Sequence, residues 1–264
     1  MVLAAVVLAL AACAAPPLVE QSDAEGSVPQ DATDPSPTTP ADDGGTAPSS
    51  SVEEPSVASA PGEPATPSAV AVPAEPVYEA TVSAIIPALA ERMHASWRPG
   101  CPVPLEDLRY VTVAHHTPDG DVATGELVVH ADVADGLVDV FRTLFEVGYP
   151  VESMRLVDDF GADDDASMAA NNTSAFSCRA VTGGSGWSEH SYGRALDLNP
   201  VQNPYVRGSA VLPPAGVAYL DRPDEPGVIR AGDAVVEAFA TAGWSWGGYW
   251  SRPTDYQHFS TTNR

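Results

Sequence analysis

One short stretch of the chain, SEHSYGRALDLNP (residues 188–200), combines a histidine and an aspartate in a pattern that can do metal chemistry. In a strand, Leu196 and Leu198 would face one side and Asp197 the other, so the carboxylate would point away from the core-facing leucines. Burying that carboxylate without a partner would be costly. His190 lies seven residues upstream, and a histidine nitrogen with an aspartate oxygen can bind zinc at about 2 Å. Two ligands leave a second interpretation equally open, in which a core histidine lies beside a structural aspartate.

The C-terminal stretch WSWGGYWSRPTDYQHFS supplies the groups that the first stretch lacks, because it places Asp255 and His258 three residues apart. His258 offers a third ligand, and Asp255 offers a nearby carboxylate that does not bind the metal. A catalytic zinc site has this division of roles: three protein ligands, an open position for water and a general base. Zinc lowers the pKa of its bound water towards neutrality, and Asp255 could then accept a proton as the water attacks a carbonyl.

Taken together, the two stretches resemble the zinc D-alanyl-D-alanine carboxypeptidase and L-alanyl-D-glutamate peptidase family, the VanY/VanX type. The family pattern is S-x-H-x2-G-x-A-x-D, followed at a distance by carboxylate-x-x-H. The resemblance extends through NNTSAFSCR, GELVV and GWSWGGYW, and so covers most of residues 100–264. It implies one zinc ion per chain, bound by His190, Asp197 and His258, with Asp255 as the general base. The positions of the pattern are filled here by Ser188, His190, Gly193, Ala195, Asp197, Asp255 and His258.

The same resemblance suggests roles for further residues. Arg179, in SAFSCR, would donate hydrogen bonds to the scissile carbonyl oxygen or to the developing oxyanion. The alternative is an arginine that pairs with one of the many acids. Ser188 would orient a ligand or contact substrate, and Ser174 would do likewise. Trp246 is expected to line the cleft or to fill the core, with direct stacking on substrate as a third interpretation.

The three cysteines of the chain indicate an exported protein. Cys13 closes VVLALAAC, which resembles a bacterial lipoprotein signal, although no Lys or Arg precedes it. Cleavage before Cys13 would leave a lipid anchor on the outer face of the bacterial membrane; the alternative is an Ala-rich leader. Export also favours a disulfide between Cys101 and Cys178, because that compartment is oxidising. Two unrelated buried thiols are the alternative.

Composition divides the chain into a signal-like segment (1–13), a tether (14–79) and a domain (80–264). The tether is rich in Pro, Ala, Ser and Thr and has no Lys or Arg. It cannot bury enough apolar surface to offset its ordering entropy, so we expect it to be disordered. Twelve of the 36 acidic residues precede position 80, which leaves 24 acids against 12 arginines, with no lysine, in the domain. We therefore expect no nucleic-acid partner.

Hydrophobic periodicity predicts an α+β domain, a small antiparallel sheet with flanking helices, and the resemblance makes this fold hedgehog/DD-peptidase-like. Helices are expected in VYEATVSAIIPALAERMHASW, in VADGLVDVFRTLFEVGYP and in AGDAVVEAFATAGW, the last closed by Gly243. LRYVTVAHH and GELVVH are expected to be strands joined by a turn, with short strands in MRLVDD and RALDLNPV. The acidic run 163–165 is expected to be a solvated loop.

These inferences predict an exported zinc metallopeptidase of the cell envelope that acts on peptidoglycan stem peptides. The leading activity is that of a D-alanyl-D-alanine carboxypeptidase. An L-alanyl-D-glutamate endopeptidase is a close second, because it uses the same metal chemistry and because an Asp at position 255 resembles that branch of the family. A non-catalytic zinc-containing wall-binding module is a third hypothesis, because the resemblance also implies the fold of the hedgehog signalling domain, in which a zinc site serves binding. The presence of Asp255 beside three ligands favours catalysis, and we expect a monomer.

Overall fold

A computed structural model of the chain describes residues 76–181 and 184–264. The signal-like segment 1–13 with Cys13, and the expected tether as far as residue 75, lie outside the described residues. No helix in the described ranges combines the length and the hydrophobicity that crossing a membrane requires.

The described residues mix short helices with small sheets, which confirms the predicted α+β class. The helices are α1 (Pro87–Arg92), α2 (Ala131–Glu146), α3 (Asp164–Ala169) and α4 (Ala234–Thr241). The strands are β1 (Ala80–Ala84), β2 (Leu108–His116), β3 (Val122–His130), β4 (Ser153–Met154), β5 (Asn172–Thr173), β6 (Ala195–Asp197), β7 (Tyr205–Arg207), β8 (Ala210–Leu212), β9 (Ser245–Trp246), β10 (Thr254–Asp255) and β11 (His258–Ser260).

The N-terminal part of the fold is an antiparallel sheet in the order β1-β2-β3, covered by α2. As predicted, β2 and β3 form a hairpin, and their register pairs Val111 with Leu127 and Arg109 with Val129. The inward side chains of this hairpin are buried against the apolar face of α2, since alternate strand residues and every third or fourth helix residue face the same layer. That face of α2 consists of Ala134, Leu137, Val140, Phe141, Leu144 and Phe145.

The first predicted helix is wrong in its N-terminal half, where residues 80–84 form β1 instead. The cause is Pro87, which has no N–H and restricts the preceding residue to extended backbone. Ile86 is accordingly extended, at φ −81° and ψ 160°, and the helix begins only at Pro87. Proline is well suited to a first helical position, and the helix ends after Arg92. Val82 is therefore an exposed strand residue and not part of a buried helical face.

The C-terminal part contains three small sheets, two antiparallel in the orders β6-β11-β9 and β10-β7-β8 and one a parallel pair, β4-β5. The strand expected in MRLVDD includes only Met154 of that stretch, because a 3₁₀ helix follows at Val157–Phe160. Strand β11 joins this part to the common core: the Phe259 ring stacks on Phe239 of α4 with centroids 3.8 Å apart. Helix α4 ends as predicted, with Gly243 in the left-handed region at φ 84°.

The predicted disulfide is confirmed, since Cys101 and Cys178 are bonded with their Cα atoms 5.9 Å apart. The bond closes a loop with a sequence separation of 77 residues. In the chain-entropy model such a crosslink stabilises the folded state by about 4 kcal/mol. It ties the segment after α1 to the residue that precedes Arg179.

The acidic run 163–165 is not the solvated loop that was expected. Asp163 caps α3, because its side chain accepts a hydrogen bond from Ala166 N at 3.0 Å. Carboxylates in the first helical turn are favoured there by the helix dipole. Asp164 turns inward and forms an ion pair with Arg179 at 2.8 Å.

Candidate metal centre and active-site cleft

His190, Asp197 and His258 converge on one point, and their candidate ligand atoms all lie within 4.8 Å of one another. His190 Nε2 lies 3.2 Å from Asp197 Oδ2, and His258 Nδ1 lies 2.9 Å from Asp197 Oδ1. All three side chains are buried. The two sequence motifs, about sixty residues apart, are thus brought together as the motif analysis predicted.

Strand pairing places Asp197 and His258 side by side. Strands β6 and β11 are antiparallel, and their register puts His258 directly opposite Asp197. On its other side, the Asp197 backbone exchanges two hydrogen bonds with Ser174, at 2.9 and 3.0 Å. The carboxylate-bearing residue is therefore held from both sides by backbone pairing, and Leu196 beside it is fully buried in the core.

A 3₁₀ helix at Glu189–Tyr192 presents His190. Ser188 caps this helix, with its hydroxyl accepting a hydrogen bond from His190 N at 3.4 Å. The helix ends at Gly193, which has φ 64°. A side chain at this glycine would also approach His130 N to 2.6 Å, so both the backbone conformation and the packing on β3 require glycine.

Both histidines direct one ring nitrogen at Asp197 and donate from the other to a backbone carbonyl. His190 Nδ1 lies 2.5 Å from Ala175 O, and His258 Nε2 lies 3.3 Å from Arg264 O. With their N–H groups turned outwards, the neutral rings present lone pairs to the carboxylate oxygens. In this arrangement a proton or a metal ion between the nitrogens and the carboxylate would relieve the repulsion between the lone pairs. Two nitrogens and one carboxylate oxygen are a donor set that zinc favours, and the outward hydrogen bonds fix the ring orientations that it needs.

The pKa shifts of Asp197 and His258 show that the cluster favours a positive charge. Burial would raise the pKa of Asp197, but the charges and hydrogen bonds of His190 and His258 outweigh it and hold that pKa well below its ordinary value. Burial would likewise lower the pKa of His258, yet the hydrogen bond and charge of Asp197, helped by Asp255, raise it to about 9. A proton or a metal ion is thus stabilised at this point.

Asp255 lies beside the cluster but outside the three-ligand group. It belongs to β10, which pairs with β7 in a register that sets Asp255 opposite Tyr205. Its side chain is buried, and Oδ1 has no hydrogen-bond partner among the described residues. Burial raises the pKa of Asp255 to about 7, with Asp197 adding to the shift and His258 opposing it. A carboxyl group poised near neutrality is suited to proton transfer.

The cluster lies in a cleft of about 1150 Å³ that is lined by His190, Asp197, Asp255 and His258. Arg179 also lines this cleft. Its guanidinium pairs with Asp164, the alternative that the sequence left open, while its buried Nε has no partner among the described residues. Burial raises the pKa of Asp164, and the charge of Arg179 opposes the shift.

Of the remaining predicted site residues, Ser188 lies in the cleft lining, whereas Ser174 and Trp246 are buried outside it. Ser174 is buried behind Asp197, and its backbone pairing is the contact that the structure shows. Trp246 is not placed to stack on substrate: it is packed in the core, and its Nε1 donates to Tyr256 O at 2.8 Å. It supports the segment that joins Asp255 to His258, whereas Trp250 lines the cleft, with its ring centroid 5.4 Å from that of His258.

Two cleft residues were missed by the sequence analysis. Asp164 was assigned to a solvated loop, although three consecutive acids ahead of an apolar helix are a capping signal. Gln257 lies within the DYQHF motif, between the candidate base Asp255 and the candidate ligand His258, in the bend that joins β10 to β11. The structure places it in the cleft lining, with its buried Oε1 unpartnered in the described part of the chain.

Comparison with known protein families agrees with the resemblance of the motifs. Residues 182–261 match a family model described as D-alanyl-D-alanine carboxypeptidase. The matched segment contains the three clustered residues and Asp255, whereas Arg179 lies just before it. It is shorter than the span of residues 100–264 over which the motifs suggested a resemblance. Comparisons with curated proteins and with solved structures give no match.

Proposed function

We propose that the protein is a zinc-dependent metallopeptidase of peptidoglycan stem peptides. The match of residues 182–261 to the D-alanyl-D-alanine carboxypeptidase family model supports this proposal and agrees with the resemblance of the motifs. The single observation that carries the proposal is the convergence of His190, Asp197 and His258 on one point. Asp255 lies beside them, and its buried Oδ1 has no hydrogen-bond partner among the described residues. A structural zinc site would be closed by a fourth protein ligand. Here the fourth side faces a cleft.

His190, Asp197 and His258 would hold the metal in this proposal. When bound, zinc supplies Lewis-acid polarisation of a carbonyl group and lowers the pKa of water. The chain's own contribution is the fixed orientation of the two imidazoles and a buried, water-poor surrounding for charge that develops during the reaction.

Asp255 would act as the general base and then as the general acid. Its Oδ1 is free to accept a proton, and its raised pKa lets it return that proton to the leaving amine near neutral pH. Arg179 would stabilise the developing oxyanion. Its ion pair with Asp164 fixes the guanidinium at the cleft wall, and its Nε retains one unused donor.

Removal of a terminal D-alanine is the activity that we propose first, with L-alanyl-D-glutamate cleavage as the alternative. The test is mass spectrometry of the pentapeptide L-Ala-γ-D-Glu-L-Lys-D-Ala-D-Ala after incubation with the protein. Loss of one alanine from the C-terminus supports the carboxypeptidase, and release of L-alanine from the N-terminus supports the endopeptidase.

An intact peptide would count against both peptidase activities and favour the wall-binding module. A chelator control, followed by restoration with zinc, separates metal-dependent cleavage from contamination by another peptidase.

The cellular placement is a separate proposal that depends on the N-terminal sequence. We propose that Cys13 is lipidated and that the monomeric domain works in the cell envelope, held at the outer face of the membrane. The exported-type disulfide agrees with this placement. Cys13→Ala should release the protein from membranes into the soluble fraction; a variant that stays membrane-bound would refute the anchor.

A further inference from the structure

The cleft lining includes two arginines whose side chains form no ion pair with the residues that the structure describes. The domain has 24 acids and 12 arginines, so a basic side chain without a carboxylate partner is unexpected. Ten of the arginines donate hydrogen bonds or form ion pairs; the ten are Arg92, Arg98, Arg109, Arg142, Arg155, Arg179, Arg194, Arg222, Arg230 and Arg264. The side chains of Arg207 and Arg252 make neither kind of contact with any residue that the structure describes, and both residues line the cleft.

These two arginines lie at the same end of one pair of strands. Arg207 directly follows Val206, and Arg252 lies two residues before Thr254, the residue that pairs with Val206. The other residue of β10 is Asp255, so the proposed base and the two arginines belong to one small sheet. Three residues of extended chain span at most about 10 Å, so the backbone of Arg252 lies within about three extended substrate residues of Asp255.

The acids that line the cleft do not compensate these charges. Asp164 is paired with Arg179, Glu189 lies 3.9 Å from Arg264, and Asp197 lies between the two histidines. The remaining lining carboxyl is Asp255, which is buried. The rim of the cleft near Arg207 is therefore a local positive region on a strongly acidic protein. Such a region attracts an anion that the molecule as a whole would repel.

We propose that Arg207 and Arg252 bind a free carboxylate of the substrate peptide and thereby set its register against the metal centre. The inference rests on the proposed peptidase function, which supplies the peptide. Both side chains are exposed at the cleft lining and are therefore accessible to a bound peptide. Guanidinium groups bind carboxylates through two parallel hydrogen bonds. A stem pentapeptide offers two such groups, the terminal D-alanine carboxylate and the α-carboxylate of D-glutamate.

The experiment measures binding and cleavage separately on the full chain. The probes are L-Ala-γ-D-Glu-L-Lys-D-Ala-D-Ala and two analogues in which either the terminal carboxylate or the D-glutamate α-carboxylate is an amide. Arg207→Gln and Arg252→Gln are compared with Arg230→Gln, an exposed arginine outside the cleft lining that pairs with Asp224. Affinity is measured by calorimetry, and cleavage is measured by mass spectrometry.

One carboxylate should dominate the binding. Amidating it should weaken binding to the wild type by about tenfold, the loss expected for one charge-assisted contact. Arg207→Gln and Arg252→Gln should weaken binding of the intact peptide similarly, yet should bind the amidated analogue as the wild type does. Arg230→Gln should behave as the wild type with every probe.

Carboxylate-dependent binding without hydrolysis would support this inference while refuting the peptidase proposal. If the wild type, Arg207→Gln and Arg252→Gln all hydrolyse the intact and both amidated peptides equally well, the inference is refuted and the peptidase proposal stands. Absence of carboxylate-dependent binding to the wild type would also overturn it.

Discussion

The two halves of the described domain are stabilised in different ways. The N-terminal half is built from nine-residue strands and a sixteen-residue helix whose inward faces are apolar. The C-terminal half has strands of two or three residues and is rich in buried polar groups. Of the eighteen buried polar or charged residues in the described ranges, sixteen lie between Ser167 and Ser260. The three side chains with a buried unpartnered atom in those ranges, Arg179, Asp255 and Gln257, also belong to this half.

This difference separates the scaffold from the site. Apolar packing fixes the β2–β3 hairpin on α2 without needing specific partners for each atom. The C-terminal half instead positions its backbone through side chains such as Asn203, whose amide donates to Gly227 O at 2.9 Å and whose oxygen accepts from Ile229 N at 2.8 Å. Polar groups left without a partner are then concentrated where a ligand would bind. The free-energy cost of burying polar atoms without a hydrogen-bond partner is therefore found at the cleft and not in the apolar core of the N-terminal half.

The largest expected effect is on catalysis. Asp255→Asn should lower kcat by about 10²–10⁴-fold, because it removes the proposed general base and keeps the side-chain shape. Removing a buried carboxyl whose Oδ1 has no partner should leave the unfolding temperature unchanged or higher. Turnover is measured on the pentapeptide, with the same substitution at the exposed Asp224 as the matched control. Full activity in Asp255→Asn would remove the proposed base.

In the scaffold the expected effect is on stability alone. Phe141→Ala should lower the free energy of unfolding by about 3–5 kcal/mol, because it opens a cavity in the core beneath α2. Urea denaturation measures this change, and Phe141→Leu should lose less because it leaves a smaller cavity. Metal content and kcat should be preserved at temperatures where the variant is folded. Loss of metal from folded Phe141→Ala would show that the two halves are not separable.

The sequence predicted these two halves unequally, for a physical reason. Period-two and helical periodicity located β2, β3, α2 and α4, because each buries one apolar face. The helix expected over residues 80–84 is wrong because the apolar spacing there is compatible with both a helix and a strand. The residue that distinguishes the two is Pro87, which begins α1 and so excludes the preceding residues from the helix. In the C-terminal half the motifs located the three residues that converge as candidate metal ligands, since local residue types define such motifs.

Polar contacts between residues far apart in the sequence leave no comparable pattern of residue types. The pairing of Asp164 with Arg179, the carbonyl of Ala175 behind His190, and the core position of Trp246 depend on which loops meet in space. A strand only two residues long, such as β9, is also too short to show a period.

A smaller loss is expected when a polar support of the C-terminal half is removed. Asn203 is fully buried and bonds the backbone at Leu198, Gly227 and Ile229. Asn203→Ala should cost about 3 kcal/mol, because backbone groups of two loops then lose their partners. Unlike Phe141→Ala, it should also reduce the metal affinity of folded protein, since Leu198 follows Asp197 directly. Denaturation and metal titration of the same sample test both effects.

The smallest effect concerns pH and again involves the scaffold. Hydrogen bonds from Arg92 hold the pKa of Glu126 below its ordinary value of 4.5, and Tyr110 adds to this shift. A carboxyl whose pKa is lowered by folding stabilises the protein above its unfolded pKa, and this stabilisation is lost as pH falls through the folded value. The advantage of wild type over Glu126→Gln should therefore shrink as pH falls below 4.5 and disappear once pH is below the lowered pKa of the folded carboxyl. Because the pair is partly exposed, it should amount to about 1 kcal/mol or less at pH 7. An advantage independent of pH would contradict this.

The central claim is that His190, Asp197 and His258 together hold one metal ion while Asp255 stays outside the coordination. Elemental analysis of the purified wild type, His190→Ala, Asp197→Asn and Asp255→Asn, each shown to be folded by circular dichroism, tests it most directly. We predict about one zinc per chain in the wild type and in Asp255→Asn, and close to none in the two ligand variants. Full metal content in folded His190→Ala, or its loss from Asp255→Asn, would contradict the account.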